Sequence, residues 1–294
     1  MTEIIAKQSA SWRDYYEMCK PRVVMLMILT SLAGMLLAVP GMVPMDILIL
    51  GNIGIALIAS SGAAVNHLID RKVDSMMKRT HNRPLPQGRV APLHASLFAA
   101  SMGIMGMVIL LFWVNALAAW LALASFVGYA FIYTGYLKRA TSQNIVIGGL
   151  SGAMPPLLGW AAVTGTIEPG ALILVLIIFA WTPPHFWALA IHRKEEYAKT
   201  GIPMLPVTHG EFVTKVYIII YTVILLVVSV FPYLSGMSGP LYLVAALGLG
   251  IVFLAWSLLL MFRPQPKTAM ETFRYSIIYL AVLFVALLTD HYTF

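Results

Sequence analysis

Nine long apolar stretches run through this sequence, and they constrain its fold more than any other feature. Each is close to the length of about 20 residues that an α-helix needs to cross the hydrocarbon core of a bilayer. The stretches are too long and too continuously apolar to be the alternating strands of a membrane β-barrel. We therefore predict an all-α, polytopic membrane helical bundle with nine transmembrane helices, at about residues 23–39, 46–69, 93–113, 116–136, 144–163, 170–191, 212–234, 240–262 and 275–290.

The composition excludes the main alternatives to a membrane bundle. Of the 294 residues, 60% are apolar and only 11% are charged, whereas an ordinary soluble domain carries about 25% charged residues. A soluble core of this size cannot bury so much apolar surface, and large exposed patches would aggregate. A soluble enzyme, a disordered chain and a disulfide scaffold are therefore excluded, the last also because Cys19 is the only cysteine.

The basic residues indicate how the helices are oriented. If the N-terminus is cytoplasmic, all 19 lysines and arginines lie on the cytoplasmic side. The loops on the opposite side contain no lysine or arginine, and their charged residues are Asp46, Glu168 and Asp290. This is the positive-inside distribution. We expect one domain over residues 1–294 in the inner (plasma) membrane of a bacterium, with a cytoplasmic N-terminus and a cytoplasmic active site. The net charge of +7 follows from this distribution and from anionic lipid head groups, so no nucleic-acid partner is predicted.

Three polar residues share one helical face where the second span leaves the membrane. Asn66, Asp70 and Asp74 are spaced four residues apart, which places them within about 80° of one another around a helix. Two carboxylates and an amide oxygen suit Mg²⁺, which completes its coordination shell with water and with phosphate oxygens of a substrate. The spacing therefore indicates a cation site at the cytoplasmic end of this helix.

The loop after this helix contains groups that can bind phosphate oxygens, namely Lys78, Arg79, His81 and Arg83. Acidic residues for a metal followed by basic residues for phosphate indicate a diphosphate site. An equally compatible alternative is a structural helix end, in which the aspartates pair with Arg71, Lys72 or Lys78 on a solvated rim.

A second polar cluster follows the sixth span. Pro183 and Pro184 are expected to break the helix, because proline lacks an N–H and clashes with the preceding turn. Beyond them, His185, His192 and Glu196 are spaced to form a narrow stripe. A histidine inside a span is costly unless it is used, and neutral imidazole is a common iron ligand. The alternative for His185 is structural, a hydrogen bond to a carbonyl freed by the prolines.

Two further segments lie at the end of the fourth span and in the fifth. Lys138 can reach phosphate oxygens, whereas Arg139 is typical of a basic interface anchor. The small residues over 148–152 permit close helix approach, and Pro155 and Pro156 are expected to bend the fifth span.

Together these motifs resemble the UbiA superfamily of intramembrane prenyltransferases, and within it the heme O synthases. Four segments carry the resemblance: KPRVVMLMILTSLAGM (20–35), NHLIDRKVDSMMKRTHNRPLP (66–86), YTGYLKRATSQNIVIGGLSGAMPPLLGW (133–160) and PPHFWALAIHRKEEYAKTGIPMLPV (183–207). The resemblance implies nine helices and a cytoplasmic active site. It also implies Mg²⁺-dependent transfer of farnesyl from farnesyl diphosphate to the 2-vinyl group of heme b, giving heme O for terminal oxidases.

The resemblance also implies roles for individual residues. Mg²⁺ is expected on Asn66, Asp70 and Asp74, and diphosphate on Lys78, Arg79 and Arg83. Asp70, Asp74 and Lys138 are the expected catalytic residues, and His185 and His192 the expected heme-binding residues. Secondary candidates are His67, His81, Glu196, Tyr133 and Trp181.

The sequence departs from the broader superfamily in two places. His67 replaces the aspartate of the usual NDxxD motif. After the sixth span, Glu195 and Glu196 stand where the superfamily has a second aspartate-rich motif, so the sequence predicts one Mg²⁺ site and leaves a second open.

Two rival functions remain at this point. One is a related enzyme that prenylates an aromatic quinone precursor, although His67 and the segments at 183–187 and 203–206 favour heme. The other is a heme carrier or transporter without catalysis, but the sequence shows no inverted repeat and its polar groups cluster on one face. The expected partners are farnesyl diphosphate, heme b and the lipid bilayer, with heme A synthase or a terminal oxidase as candidate protein partners.

Overall fold

The computed structural model describes residues 10–263 and 265–293, and within these ranges the protein is helical with connecting turns. Lys7, one of the basic residues of the N-terminal segment, lies outside the described residues. The helices are α1 (Trp12–Met18), α2 (Pro21–Leu37), α3 (Met45–Asp74), α4 (Pro92–Val114), α5 (Ala116–Ala140), α6 (Asn144–Thr164), α7 (Pro169–His192), α8 (Lys194–Thr200), α9 (Leu205–Thr208), α10 (Gly210–Leu234), α11 (Pro240–Phe262) and α12 (Pro266–Thr293).

Eight of these helices are individually long and apolar enough to cross a membrane: α3 to α7 and α10 to α12. Helix α2 meets the same test only together with α1, from which it is bent by 52°. Each of the nine predicted spans coincides with one of these helices. The predicted all-α membrane bundle is therefore confirmed, with eight spans or nine when the bent pair is counted.

The helices pack into a closed bundle. Helix α3 contacts α2, α4 and α5, while α6 joins α2, α5 and α7. Helix α7 also packs against α10 and α12, and α12 returns to α2. This order brings the end of α3, the start of α2 and the end of α5 to the same end of the bundle.

Turn residues at the opposite end hold the hairpins together through side-chain hydrogen bonds. The side chain of Asn115 accepts from the Ala118 N–H at 2.8 Å and donates to the Ala161 carbonyl at 2.9 Å, which caps α5 and ties it to α6. Asp290, expected in an outer loop, lies instead in the last turn of α12. Its carboxylate accepts from the backbone N–H groups of Gly239 and Tyr242 and thereby caps α11.

The two proline pairs have different effects on the backbone. Before Pro155 and Pro156, which were expected to bend the fifth span, the helical hydrogen-bonding pattern is interrupted at Met154. The prediction that Pro183 and Pro184 break the sixth span is wrong, because α7 is continuous from residue 169 to residue 192. Both of these prolines are buried, and α6, α10 and α12 pack around α7. In a membrane bundle such packing maintains a helix that has lost two backbone hydrogen bonds.

Glycines bring α2 and α6 into direct backbone contact. A Cβ atom at Gly34 would collide with the Pro156 carbonyl, and one at Gly159 would collide with the Ser31 carbonyl. Nearer the start of α6, a Cβ at Gly149 would be 3.0 Å from Thr182 of α7. Close approach through small residues, predicted for the fifth span, is therefore present.

Candidate active site

Asn66, Asp70 and Asp74 occupy the last three turns of α3 and are all buried, with 5%, 1% and 4% of their surfaces exposed. The amide nitrogen of Asn66 donates to Oδ2 of Asp70 at 2.8 Å. The predicted sharing of one helical face is therefore present, and this face is turned into the bundle. Buried carboxylates in a membrane protein are costly and typically functional.

Cationic residues from two other segments meet these carboxylates. Lys138 Nζ lies 2.6 Å from Oδ2 of Asp70, and Arg139 lies 3.5 Å from its other oxygen. Arg83 forms a salt bridge of 2.7 Å with Asp74. Lys138, predicted to reach phosphate oxygens, thus contacts Asp70 in this structure, and Arg139, interpreted as an interface anchor, also contacts Asp70.

The structural alternative for the aspartates does not match these pairings. Arg71, Lys72 and Lys78 are all exposed, and within the described ranges none of them pairs with Asp70 or Asp74. The partners instead come from residues 9, 68 and 69 positions away in the sequence. The acidic pair is therefore the centre of a cluster built by several segments and is not a solvated helix end.

Lys20 is a site residue that the sequence reasoning missed. Its Nζ donates to the side-chain oxygen of Asn66 and lies 3.4 Å from the hydroxyl of Tyr129. Among the described residues, it is the only non-glycine residue with a positive φ, +50°. Such a conformation is strained and often marks a functional site. The sequence feature that could have indicated Lys20 is its position directly before Pro21, at the start of the first segment that carries the family resemblance.

The end of α5 has π-helical geometry where it approaches the site, over Gly128–Leu137. Thr134 in this segment accepts from the Asn66 amide at 3.2 Å and donates to the Tyr129 carbonyl at 2.8 Å. The rings of Tyr129 and Tyr133 are stacked at 5.9 Å. Tyr133 fits against α6 because position 148 is glycine, where a Cβ would collide with the ring. Local π-helical geometry is frequent at functional sites.

The predicted phosphate-binding residues differ in their position relative to the acidic cluster. Arg83 contacts Asp74 directly, whereas Arg79 is exposed and forms no ion pair with an aspartate among the described residues. Lys78 is exposed and forms no ion pair in the described part of the chain. The ring of His81 bonds at 2.8 Å to the Lys78 carbonyl in its own loop. The structure thus brings Arg83 to the acids and places Lys78, Arg79 and His81 on the exterior of the loop.

His67 is buried next to Asn66, with 1% of its surface exposed. Neither ring nitrogen has a hydrogen-bond partner among the described residues. A buried imidazole without a partner is costly, so the ring nitrogens of His67 are available to bind a water molecule or a ligand.

Helix α8 approaches the loop that contains residues 78–83, called the phosphate loop below, from another side. Tyr197 is buried, and this burial raises the pKa of its hydroxyl, while Arg79 and Arg193 act in the opposite direction. The Nε of Arg193 and one carboxylate oxygen of Glu196 are also buried without hydrogen-bond partners in the described structure. The predicted stripe with His185 and His192 is wrong for Glu196, because α7 ends at residue 192 and Glu196 lies on the separate helix α8.

The two predicted heme-binding histidines both lie on α7, at different depths. His185 is partly buried between α7 and α12, whereas His192 is exposed at the last position of α7. The ring of Trp181 stacks on His185 at 4.1 Å, and its indole N–H donates to the Ser276 carbonyl at 2.7 Å. One face of Trp181 is therefore covered by imidazole.

The family model of the UbiA prenyltransferase family matches residues 27–288 of this chain. The chain belongs to the UbiA prenyltransferase family. A relative from Pseudomonas putida (strain W619), named protoheme IX farnesyltransferase 1, is 62% identical and covers 99% of this chain and 98% of its own length. A relative from Saccharophagus degradans, named protoheme IX farnesyltransferase, is 65% identical and covers 96% of this chain and 93% of its own length.

Solved structures with much lower sequence identity share the fold. A structure of digeranylgeranylglyceryl phosphate synthase superposes with a TM-score of 0.81 at 20% identity, over 96% of this chain and 99% of that chain. A UbiA homolog from Archaeoglobus fulgidus bound to GPP and Mg²⁺ gives a TM-score of 0.67 at 15% identity, over 93% and 99% of the two chains. The family assignment and the multi-pass membrane architecture predicted from the sequence are thus confirmed.

The acidic cluster of this UbiA prenyltransferase has the donor chemistry of a magnesium site. In the described part of the chain, no three His, Cys, Asp or Glu side chains form a cation site by themselves. Asp70 and Asp74 supply two buried carboxylates, and Asn66 adds an amide oxygen. Mg²⁺ is commonly held by one or two carboxylates together with water and substrate phosphates, so this set fits.

Proposed function

We propose that this chain transfers a farnesyl group from farnesyl diphosphate to the 2-vinyl group of heme b and so forms heme O. The observation that carries the proposal is the buried triad Asn66, Asp70 and Asp74, surrounded by cations from three segments. The two relatives named protoheme IX farnesyltransferase support the choice of substrates, since they align over nearly the full chain.

In the proposed mechanism, Asn66, Asp70 and Asp74 would hold Mg²⁺, which would supply the positive charge that neutralises the diphosphate leaving group. Lys138 and Arg83, now paired with the aspartates, donate hydrogen bonds to the phosphate oxygens once substrate is bound. The carbon–oxygen bond of the allylic diphosphate breaks, and its electron pair leaves with the diphosphate. No protein nucleophile is required.

The aromatic residues of α5 stabilise the allylic cation that the farnesyl group becomes when the diphosphate leaves. The faces of Tyr129 and Tyr133 are electron-rich and stabilise positive charge. The surrounding apolar helices exclude water from it. The heme vinyl group attacks this cation with its π electrons and forms the new carbon–carbon bond. Water then adds to the resulting heme-side cation and loses a proton, which leaves a hydroxyethylfarnesyl group.

Heme b is proposed to bind between α7 and α12, where His185 lies, with His192 as a second heme-binding residue. The active site is proposed to face the cytoplasm of a bacterial cell, because the acidic cluster lies at the end of the bundle that carries the lysines and arginines. Heme A synthase and terminal oxidases remain the proposed protein partners, since they consume heme O or its derivative.

The direct test is the product formed by the purified protein in lipid nanodiscs. With farnesyl diphosphate, heme b and Mg²⁺, we expect a mass spectrum of heme O and release of one diphosphate for each heme consumed. Prenylated product from 4-hydroxybenzoate, without any heme O, would instead identify the quinone-precursor enzyme. Heme binding without diphosphate release under any condition would contradict catalysis and favour a heme carrier.

A further inference from the structure

Ser276 on α12 determines which nitrogen of the neutral His185 ring carries the proton. The hydroxyl of Ser276 donates its single proton to the Phe273 carbonyl at 2.6 Å. The same oxygen lies 2.6 Å from Nδ1 of His185. Because the hydroxyl has no second proton, Nδ1 must be the donor in this contact. The neutral ring therefore carries its proton on Nδ1 and a lone pair on Nε2.

The ring is also held in place on both faces. Trp181 stacks on one side with a centroid distance of 4.1 Å, and Phe273 stacks on the other at 4.6 Å. Trp181 is itself anchored to the backbone carbonyl of Ser276. The imidazole therefore cannot rotate without breaking the Ser276 contact. Nε2 has no hydrogen-bond partner in the described structure, and His185 remains partly exposed.

This arrangement differs from the structural role considered for His185. That role required a hydrogen bond to a carbonyl of α7 left free by Pro183 or Pro184. The ring nitrogen instead contacts a side chain on another helix, 91 positions away in the sequence. Metal-binding histidines typically donate their second N–H to a carboxylate, a backbone carbonyl or water, which orients the ring and fixes its tautomer, and the Ser276 hydroxyl takes that place here.

We propose that Ser276 is a positioning residue that holds His185 with Nε2 directed to the iron of the heme substrate. This inference rests on the proposed function, in which His185 binds heme. Ser276 itself does not contact the heme in this proposal. Its hydroxyl orients the imidazole of His185, and the stacked rings of Trp181 and Phe273 orient the same imidazole.

The test compares binding of hemin and of iron-free protoporphyrin IX to the protein in nanodiscs. We expect Ser276→Ala to raise the Kd for hemin by about 10- to 100-fold, the usual cost of losing an orienting partner of a metal-binding histidine. The absorption band of imidazole-bound heme should weaken in parallel. Affinity for protoporphyrin IX should stay unchanged, because that ligand has no iron. Ser276→Thr, which keeps a hydroxyl, should retain hemin binding.

Thr272→Ala is the matched control. This residue is one turn away on α12, is equally buried, and donates only to the Thr268 carbonyl of its own helix. It should bind hemin like the wild type. Wild-type hemin affinity in Ser276→Ala, or equal loss of hemin and protoporphyrin IX, would overturn the inference. The variant His185→Ala separates the proposed heme ligand from its proposed positioning residue. Unchanged hemin binding in His185→Ala would overturn His185 as the heme ligand. Loss of hemin binding in His185→Ala but not in Ser276→Ala would overturn only the role of Ser276.

Discussion

Each aspartate of the site forms an ion pair with a cation brought from elsewhere in the chain. Asp70 contacts Lys138, and Asp74 contacts Arg83. Unpaired buried charges cost several kcal/mol, so these pairs stabilise the site in the absence of substrate. In the proposed complex, a metal and a diphosphate would supply the opposite charges in place of these pairs. The same residues would then stabilise the fold without substrate and bind the substrate when it is present.

Lys20 gives the first prediction at the scale of single residues. Lys20→Ala removes a cation that contacts Asn66, and loss of a hydrogen bond to a charged group costs about 1.5–3 kcal/mol. We expect kcat/KM for farnesyl diphosphate to fall by about 10- to 100-fold. Lys20→Arg should recover part of the activity. Lys72→Ala, at an exposed lysine on the same side of the bundle, is the control, and an equal loss there would contradict a specific role for Lys20.

The helical period predicted the acidic face, but it did not predict the partners of its carboxylates. Asn66, Asp70 and Asp74 are separated by whole turns of one helix, so their common face follows from local geometry. The contacts of Lys20 and Lys138 join positions 46 and 68 residues apart. Such contacts depend on how separate helices pack, which no single segment of sequence specifies.

At the scale of helices, packing determines where predictions from local sequence, such as helix breaking by proline, hold and where they fail. The proline rule holds at residues 155–156, where the helix is interrupted, and fails at residues 183–184 inside the buried helix α7. Glu196 was placed on a stripe of α7 by its spacing, but the helix ends before it. Lost backbone hydrogen bonds are thus tolerated where three neighbouring helices hold the segment, a condition that the local sequence does not reveal.

The second prediction concerns the contact between α2 and α6. Gly159→Ala places a Cβ against the Ser31 carbonyl, and overpacking of this kind costs about 1–3 kcal/mol. We expect a lower midpoint of thermal unfolding in detergent. Gly152 lies in the same helix, and its added Cβ meets nothing within 4 Å, so Gly152→Ala should leave the midpoint unchanged or raise it slightly. Equal midpoints for the two variants would contradict the backbone contact.

At the scale of the whole molecule, the charged site residues and the apolar helices occupy different parts of the bundle. The acidic cluster, the phosphate loop and the start of α2 meet at one end, while the apolar helices form the rest of the bundle. The uneven distribution of basic residues predicted this polarity from the sequence, because it depends on the membrane and not on side-chain packing. The sequence also predicted the site residues at the ends of α3 and α5, but it predicted neither Lys20 at the start of α2 nor the contacts among these residues.

The third prediction tests the orientation of the whole bundle. In a Cys19→Ser background, Gln87→Cys lies in the loop beside the site, and Met42→Cys lies at the opposite end with 87% of the native side chain exposed. In intact cells, an impermeant maleimide should label position 42 only. After cell disruption it should also label position 87. Labelling of position 87 in intact cells would place the acidic cluster on the outer side and contradict the proposed orientation.

The central claim is that Asn66, Asp70 and Asp74 hold a divalent cation that binds the diphosphate. The most direct test is equilibrium binding of farnesyl diphosphate to the purified protein, with Mg²⁺ present or removed by EDTA. We expect removal to weaken binding of the wild type by at least about tenfold, equivalent to about 1.4 kcal/mol. In Asp70→Asn and Asp74→Asn, Mg²⁺ should make little difference, although both proteins still insert and remain folded. Mg²⁺-independent binding by the wild type, or full Mg²⁺ dependence in both variants, would contradict the claim.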